Sequence, residues 1–346
     1  MMTIEQALDC LLKLGGSDLL VSCGSTLRIR RDGQLEALGG ESLSPEAIER
    51  MLNELLDARQ RRDLERDRHV DFAFTWRDRV RIRGNAYFQR GSLAAAFRLL
   101  PLTIPTFEEL GVPEAVNRLI DRHQGLILVT GATGSGKSTT QAAMIDYINR
   151  HRPCHVVTVE DPIEYVHEHR AAIVDQRQVG SDTPSFVDAL RAVFREDPDV
   201  VLIGEMRDLE TMASALSIAE TGHLVLATLH TNDASQAVDR ILDAFPPGQA
   251  QQARIQLSAC LAGVIYQQLL PANGGGRVAA FEMLIATSAV RALIKEGKTN
   301  QLRNVMQTSL REGSQTLERA LTHLVRSGLV SEQAARARSL YPQEIG

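Results

Sequence analysis

The segment Gly131-Ala132-Thr133-Gly134-Ser135-Gly136-Lys137-Ser138 limits what this chain can fold into more than any other stretch. It follows an apolar run at 125–130 and opens a stretch, 138–150, that reads as a helix. Strand, G-x-x-x-x-G-K-[ST], then helix is the arrangement in which successive backbone N–H groups turn toward phosphate oxygens. The helix N-terminus adds its partial positive charge at the same point. Lys137 is then placed to reach the β- and γ-phosphates of ATP, and the Ser138 hydroxyl to ligate Mg²⁺. Gly131, Thr133, Gly134, Ser135, Gly136 and Thr139 complete the expected cradle. A chance glycine-rich turn is the bland alternative, and strand, spacing and helix together oppose it.

The rest of the chain is read around that loop. The pattern after residue 106 is strand, glycine turn, helix, repeated, with apolar strands at 125–130, 155–159, 199–203 and 223–229. Helices are expected from Thr183-Pro184, over 209–220, and through most of the chain beyond Ser288. Near-continuous apolar strands alternating with helices predict an α/β fold with a mainly parallel sheet covered on both faces.

Residues 1–100 read differently. Ile4, Ala7, Leu8, Leu11, Leu12 and Leu14 are helix-like and stop at Gly15-Gly16. Short strands follow at 19–22 and 27–30, with Asp32-Gly33 as a turn signal. A second helix starts at Ser44-Pro45-Glu46, where Ser44 caps and Pro45 takes the first helical position. Strands come at 70–74 and 80–86, and in the latter Arg79, Arg81 and Arg83 alternate with Val80 and Ile82 on opposite faces. Pro101 and Pro105 bracket a linker, so a small α/β domain is expected over 1–100, a linker at 101–105 and the larger domain over 106–346.

Composition excludes several classes. The 346 residues are 44% apolar, enough for a substantial core. Lys and Arg number 38 against 43 Asp and Glu, a formal charge of −5, which opposes a nucleic-acid partner. Cys10, Cys23, Cys154 and Cys260 form no C-x-x-C pair and read as buried or semi-buried thiols, neither a zinc site nor a disulfide framework. The N-terminus has no signal-peptide pattern, and the apolar runs are far short of a membrane span. A cytoplasmic protein is expected, touching a membrane only through partners.

Hydrolysis needs carboxylates. The run Asp199-Val200-Val201-Leu202-Ile203-Gly204-Glu205 is a Walker B strand in which Gly204 occupies the usual Asp position and the acid moves to Glu205. Glu205 is expected near Mg²⁺ through water, or near the attacking water. A second cluster, Glu160-Asp161-Pro162-Ile163-Glu164, offers Glu164 for water activation and Glu160 for the metal shell. In-line geometry decides between Glu164 and Glu205, and sequence leaves both open. His223 and His230 flank a strand, and His230 lies at the end where open α/β sheets bind ligands. Arginines that could stabilise transferring phosphate, in this subunit or a neighbour, are Arg79, Arg81, Arg83, Arg98, Arg195, Arg207 and Arg240. For any one of them a surface ion pair is the simpler reading.

Several motifs then combine. They are Gly15-Gly16-Ser17-Asp18-Leu19, Gln89-Arg90-Gly91-Ser92, Phe97-Arg98, the glycine-rich loop, the acidic box 160–164, the Walker B stretch 195–208 and the histidine box 220–230. Gly275-Gly276-Arg277-Val278-Ala279-Ala280-Phe281-Glu282 and 289–294 extend them nearly end to end. In this set the chain resembles the bacterial type II secretion and type IV pilus ATPases, and among them the twitching-motility retraction ATPases. The resemblance implies a PAS-like N-terminal domain, a RecA-like P-loop ATPase domain with a helical C-terminal part, and a homo-hexameric ring. It implies a site at the cytoplasmic face of the inner membrane, against a platform protein and beside related pilus ATPases. It also implies that ATP turnover drives pilus retraction, and it carries functional roles onto Glu164, Glu205, His223 and His230. Extension and secretion ATPases usually carry a further N-terminal domain and a four-cysteine zinc insertion, neither of which is read here. Leu20, where the family often has His, and Val290 and Ala292, in place of the commoner Ile and Asn, are departures. They leave open a principal retraction motor, an accessory paralogue or another secretion or assembly ATPase. A non-hydrolysing ATP-binding scaffold is the alternative from a different class, opposed by the intact Lys137, Ser138, Glu164 and Glu205.

Overall fold

Alternation in the first hundred residues builds an antiparallel sheet, and continuous apolar runs in the remainder build a parallel one. The computed structural model describes residues 2–31, 34–77, 80–100 and 103–346. Arg79, the Asp32-Gly33 turn, and Pro101 with Leu102 of the expected linker lie outside the described residues. The chain divides into two units, Met1–Thr103 with Pro162–Val166, and Ile104–Asp161 with His167–Gly346.

The first unit is a six-stranded sheet in the order β3-β2-β1-β6-β5-β4. Its strands are β1 (Asp18–Ser22), β2 (Arg28–Arg31), β3 (Gln34–Ala37), β4 (His69–Trp76), β5 (Val80–Gln89) and β6 (Ser92–Leu99). Every pairing is antiparallel. Val80, Ile82 and Ala86 of β5 are buried while Arg81 and Arg83 between them are half-buried, so one face packs and the other meets solvent. Helices Ile4–Lys13 and Pro45–Leu55 cover the apolar face with Leu8, Leu11, Ile48 and Leu52. Thr3 caps the first with a capping box, and Ser44 caps the second, with Pro45 at its start. The helix Ala58–Asp67, unread in sequence because only Leu64 is buried in it, starts on an Asp57 capping box.

The second unit holds a seven-stranded sheet in the order β13-β12-β7-β11-β10-β8-β9. Its strands are β7 (Gly125–Thr130), β8 (His155–Glu160), β9 (Ile173–Gln178), β10 (Val200–Ile203), β11 (Leu224–Leu229), β12 (Leu261–Pro271) and β13 (Arg277–Ile285). Only the β12–β13 pair is antiparallel. β7, β10 and β11 are buried at every position, because helices cover both faces. Each such Leu, Ile or Val contributes about 1.5–3 kcal/mol of burial. One expected helix start moves: the helix is Phe186–Val193, because Ser185 caps it by accepting from the Asp188 N–H, while Thr183 donates its hydroxyl to the Ser185 carbonyl. The long β12–β13 hairpin is an element the sequence reading had not placed.

Among the described residues no helix is long and apolar enough to cross a membrane. The four cysteines are free, three half-buried and Cys260 buried, where desolvation pushes its thiol up to about 12.

Candidate nucleotide site

Parallel register brings the ends of β7, β8, β10 and β11 to one edge of the sheet. The glycine-rich loop leaves β7 there and enters the helix Lys137–His151 through Gly136. Gly136 has φ 89°, and a Cβ on it would stand 2.8 Å from Gln267 Nε2. A Cβ on Gly131, at φ 145°, would lie 2.4 Å from the Gln267 carbonyl. Both positions therefore require glycine, by backbone conformation and by space. Gln267 itself is held from the helix side, where the Thr140 hydroxyl donates to its Oε1 at 2.8 Å. Ser138 is exposed and Thr139 half-buried in the first helical turn, and Thr133 and Gly134 are exposed on the loop.

Two atoms in this loop are set for an anion. Ser135 Oγ is buried without a hydrogen-bond partner, an expensive state for a hydroxyl unless a ligand supplies one. Lys137 Nζ donates to the Gly131 carbonyl at 2.8 Å and the Ala132 carbonyl at 2.9 Å, and lies 3.4 Å from His230 Nδ1. Glycine-loop N–H groups, an orphan hydroxyl and an ammonium fit a phosphate chain.

A polar chain runs outward from Lys137. An ammonium can only donate, so His230 Nδ1 is the acceptor and Nε2 carries the proton toward Glu205 Oε1, 3.1 Å away. Glu205 Oε2 in turn accepts from Arg207 at 2.7 Å. The Arg207 hydrogen bond holds the Glu205 carboxyl below the usual carboxylate range, against the opposing effect of burial. Burial, then the Lys137 charge, lowers His230, which keeps the imidazole neutral at pH 7. The loop bearing His230 is pinned to the strand before the glycines, since Thr130 Oγ1 meets Thr231 Oγ1 at 2.7 Å and accepts the Thr231 N–H at 3.0 Å.

Gly204 explains the shifted acid. A Cβ there would sit 3.1 Å from the Val159 carbonyl and 3.2 Å from Glu160 Cα, because β8 runs alongside. The acid consequently falls one residue later, past the end of β10. Glu160 closes β8, its Oε1 accepting from Thr158 at 2.6 Å and Gln176 at 3.1 Å. Beside Glu205 and His230, a cleft of about 510 Å³ is lined by Arg207, Gln236, Asp239 and Arg240.

Within the second unit, not every expected residue reaches this edge. His223 lies at the opposite end of β11, near Thr221 and the Ile218 carbonyl, its ring edge-on to Phe194. The physical reason is parity of direction: β11 delivers only its C-terminal end to the loop, and His223 precedes its first residue. Arg195 is exposed beyond the helix Phe186–Val193. Glu164 belongs to the segment that groups with the antiparallel unit. In that unit Arg83 and Arg98 are register partners, Arg98 donates to Asp18 at 2.8 Å, Arg83 is 3.8 Å from Asp71, and Arg81 reaches Thr75 at 3.4 Å. Thr130, Thr231, Gln267 and Gln141, which accepts from Thr228, were missed. The threonine ending an otherwise apolar β7 was the available signal.

The family described as type II/IV secretion system protein matches over residues 96–275. The type IV pilus retraction ATPase PilT of Pseudomonas aeruginosa is 44% identical over 344 residues, 99% of this chain and 100% of that protein. The type IV pilus ATPase PilU of the same organism is 40% identical, covering 97% of this chain and 88% of its own. A crystal structure of the pilus retraction motor PilT with bound ADP superimposes with a TM-score of 0.93 at 48% identity, covering 99% of both chains.

Proposed function

The chain belongs to the type II/IV secretion system family of ATPases, and from that premise we propose that it is a type IV pilus retraction motor. ATP is bound at Gly131–Ser138 and its hydrolysis drives the removal of pilin from the fibre. The observation that carries this is the buried, partnerless Ser135 Oγ inside a glycine cradle whose lysine already touches His230. The full-length likeness to PilT rather than to a longer secretion protein supports the retraction reading, and the 40% likeness to PilU keeps an accessory motor as the second.

In this reading phosphate oxygens take over donors that Lys137 now gives to the Gly131 and Ala132 carbonyls. Mg²⁺, held by Ser138 with Glu205 through water, would neutralise phosphate charge. One hydroxyl and one carboxylate suit an ion that keeps most of its waters and uses substrate oxygens. Glu205, ionised and fixed by His230, orients the attacking water. Its basicity rises when Arg207 lets go, since that hydrogen bond is the main cause of its low pKa. Arg207 is 78% exposed on its side chain and can swing to a developing phosphate charge. Arg240 lines the same cleft, and Arg81, Arg83 and Arg98 are the candidates to complete the site of a neighbouring copy in a hexameric ring. The ring works at the cytoplasmic face of the inner membrane, against a platform protein.

Glu205→Gln tests the core of this reading. Phosphate release should fall roughly 10²–10³-fold while nucleotide binding stays within a few-fold. Normal turnover in that variant, or an equal loss in Glu164→Gln with Glu205→Gln active, moves the role to Glu164.

A further inference from the structure

Glu282 stands across the β12–β13 ladder from Tyr266 and is only 4% exposed. Its two oxygens serve different helices. Oε1 accepts the Ala234 N–H at 2.8 Å, and Oε2 accepts the Leu317 N–H at 3.2 Å. Ala234 and Leu317 are the first residues of the helices Ala234–Leu242 and Leu317–Arg326. Each helix has a side-chain cap on its third N–H, Asp233 accepting from Gln236 and Thr316 from Arg319, and Glu282 takes the first N–H that those caps leave over in both.

The chemistry narrows the role further. Glutamine has one acceptor oxygen, and its NH₂ would face an N–H donor, so only a carboxylate can serve both helices. An apolar side chain here would leave two buried N–H groups without an acceptor, which offsets the desolvation cost of burying the carboxylate.

What Glu282 joins is specific. The helix Ala234–Leu242 follows directly on the site loop, where the Thr231 hydroxyl donates to the Asp233 carbonyl and Thr231 is tied to Thr130. The helix Leu317–Arg326 carries Glu318, which together with Glu344 holds Arg303 at 2.9 Å from each. Hydrogen bonds thus run from Thr130, the residue before the glycine loop, through Thr231, Asp233, Ala234 and Glu282 to Leu317 and the C-terminal segment.

We propose that Glu282 is a positioning residue that sets the loop 230–234 against the helix Leu317–Arg326, carrying the nucleotide state at His230 to the C-terminal helices. This rests on the nucleotide-site reading above. Burial pushes the Glu282 carboxyl up to about 7. The ionisable groups facing it are Asp233 on the loop, Glu318 on the second helix, itself paired with Arg303, and Tyr266 on β12, which also feels Arg338; Asp233 and Glu318 raise the carboxyl further, and the two N–H bonds lower it. Protonation removes an acceptor, so the tie is complete above that pH and weakens as pH falls through it.

Hydrogen exchange on the wild-type chain at pH 8, with and without ADP, is the first test. ADP should slow exchange at 131–139, at 230–236 and at 315–321. Slowing at the first two with none at 315–321 overturns the inference; no slowing at 131–139 sinks the site reading and this inference with it. The second test uses Glu282→Gln and the apolar isostere Glu282→Met. Both should lower kcat about tenfold, with KM for ATP within about threefold, and lose the rise of kcat with pH near neutrality. A wild-type kcat and pH profile in either folded variant overturns it, and if neither folds the exchange result decides.

Discussion

In the seven-stranded sheet β7, β10 and β11 are buried at every position, whereas β5 of the six-stranded sheet alternates buried and half-buried residues along its length. The parallel sheet has no free face, so its chemistry is forced to the strand ends, where Thr130, Glu160, Glu205 and His230 gather. The antiparallel sheet keeps its polar residues on a face, and there Arg81, Arg83 and Arg98 lie side by side. One architecture concentrates polar groups at an edge, and the other spreads them over a face.

The comparison is broken most directly at the edge. Lys137→Ala should reduce phosphate release roughly 10³-fold, since the loop's ammonium is lost where phosphate charge must be held. A folded variant with near-normal turnover would mean that the edge is not the catalytic place. On the other sheet the largest effect should be on folding. Phe97, fully buried and edge-on to Phe72, should cost about 3 kcal/mol as Phe97→Ala by chemical denaturation. A loss below 1 kcal/mol would show that this face is not the unit's core.

A smaller effect comes from pH. His230 is lowered from its ordinary value first by burial and then by Lys137, and its Nδ1 must stay unprotonated to face that ammonium. Turnover should therefore be insensitive to His230 through the ordinary imidazole range and fall only at pH below it, as the imidazole gains its proton. His230→Gln should remove this more acidic limb from the pH–rate profile while leaving the rise near neutrality assigned to Glu282, and an unchanged acidic limb assigns it elsewhere. The smallest stability effect is expected at Arg98→Ala. Its partner Asp18 keeps Arg30 at 3.7 Å, so the loss should be under about 1 kcal/mol by thermal unfolding. A large fall in turnover from this near-silent change would show that the arginine face acts on another copy's site.

Legibility in the sequence followed the same divide. Glu205 and His230 could be placed because each ends an apolar run, and a run of that kind announces its own edge. The partners that lock them could not. Thr130 and Thr231 are 101 residues apart, and Thr140 and Gln267 127 apart, separations at which no local pattern survives. The β12–β13 hairpin escaped for another reason: the helix Pro247–Cys260 passes into β12 at Leu261 with no glycine or proline between them. His223 was already at the far end of its strand by direction, and its role came from the resemblance, so the order of the strand and not its residues separates it from His230.

Gly204 has a consequence for how such sites can change over generations. With β8 alongside that position, an aspartate there would need the Val159 carbonyl and Glu160 Cα to give by a few tenths of an ångström. The place of the acid at this strand end and the spacing of β10 from β8 are therefore coupled through one residue.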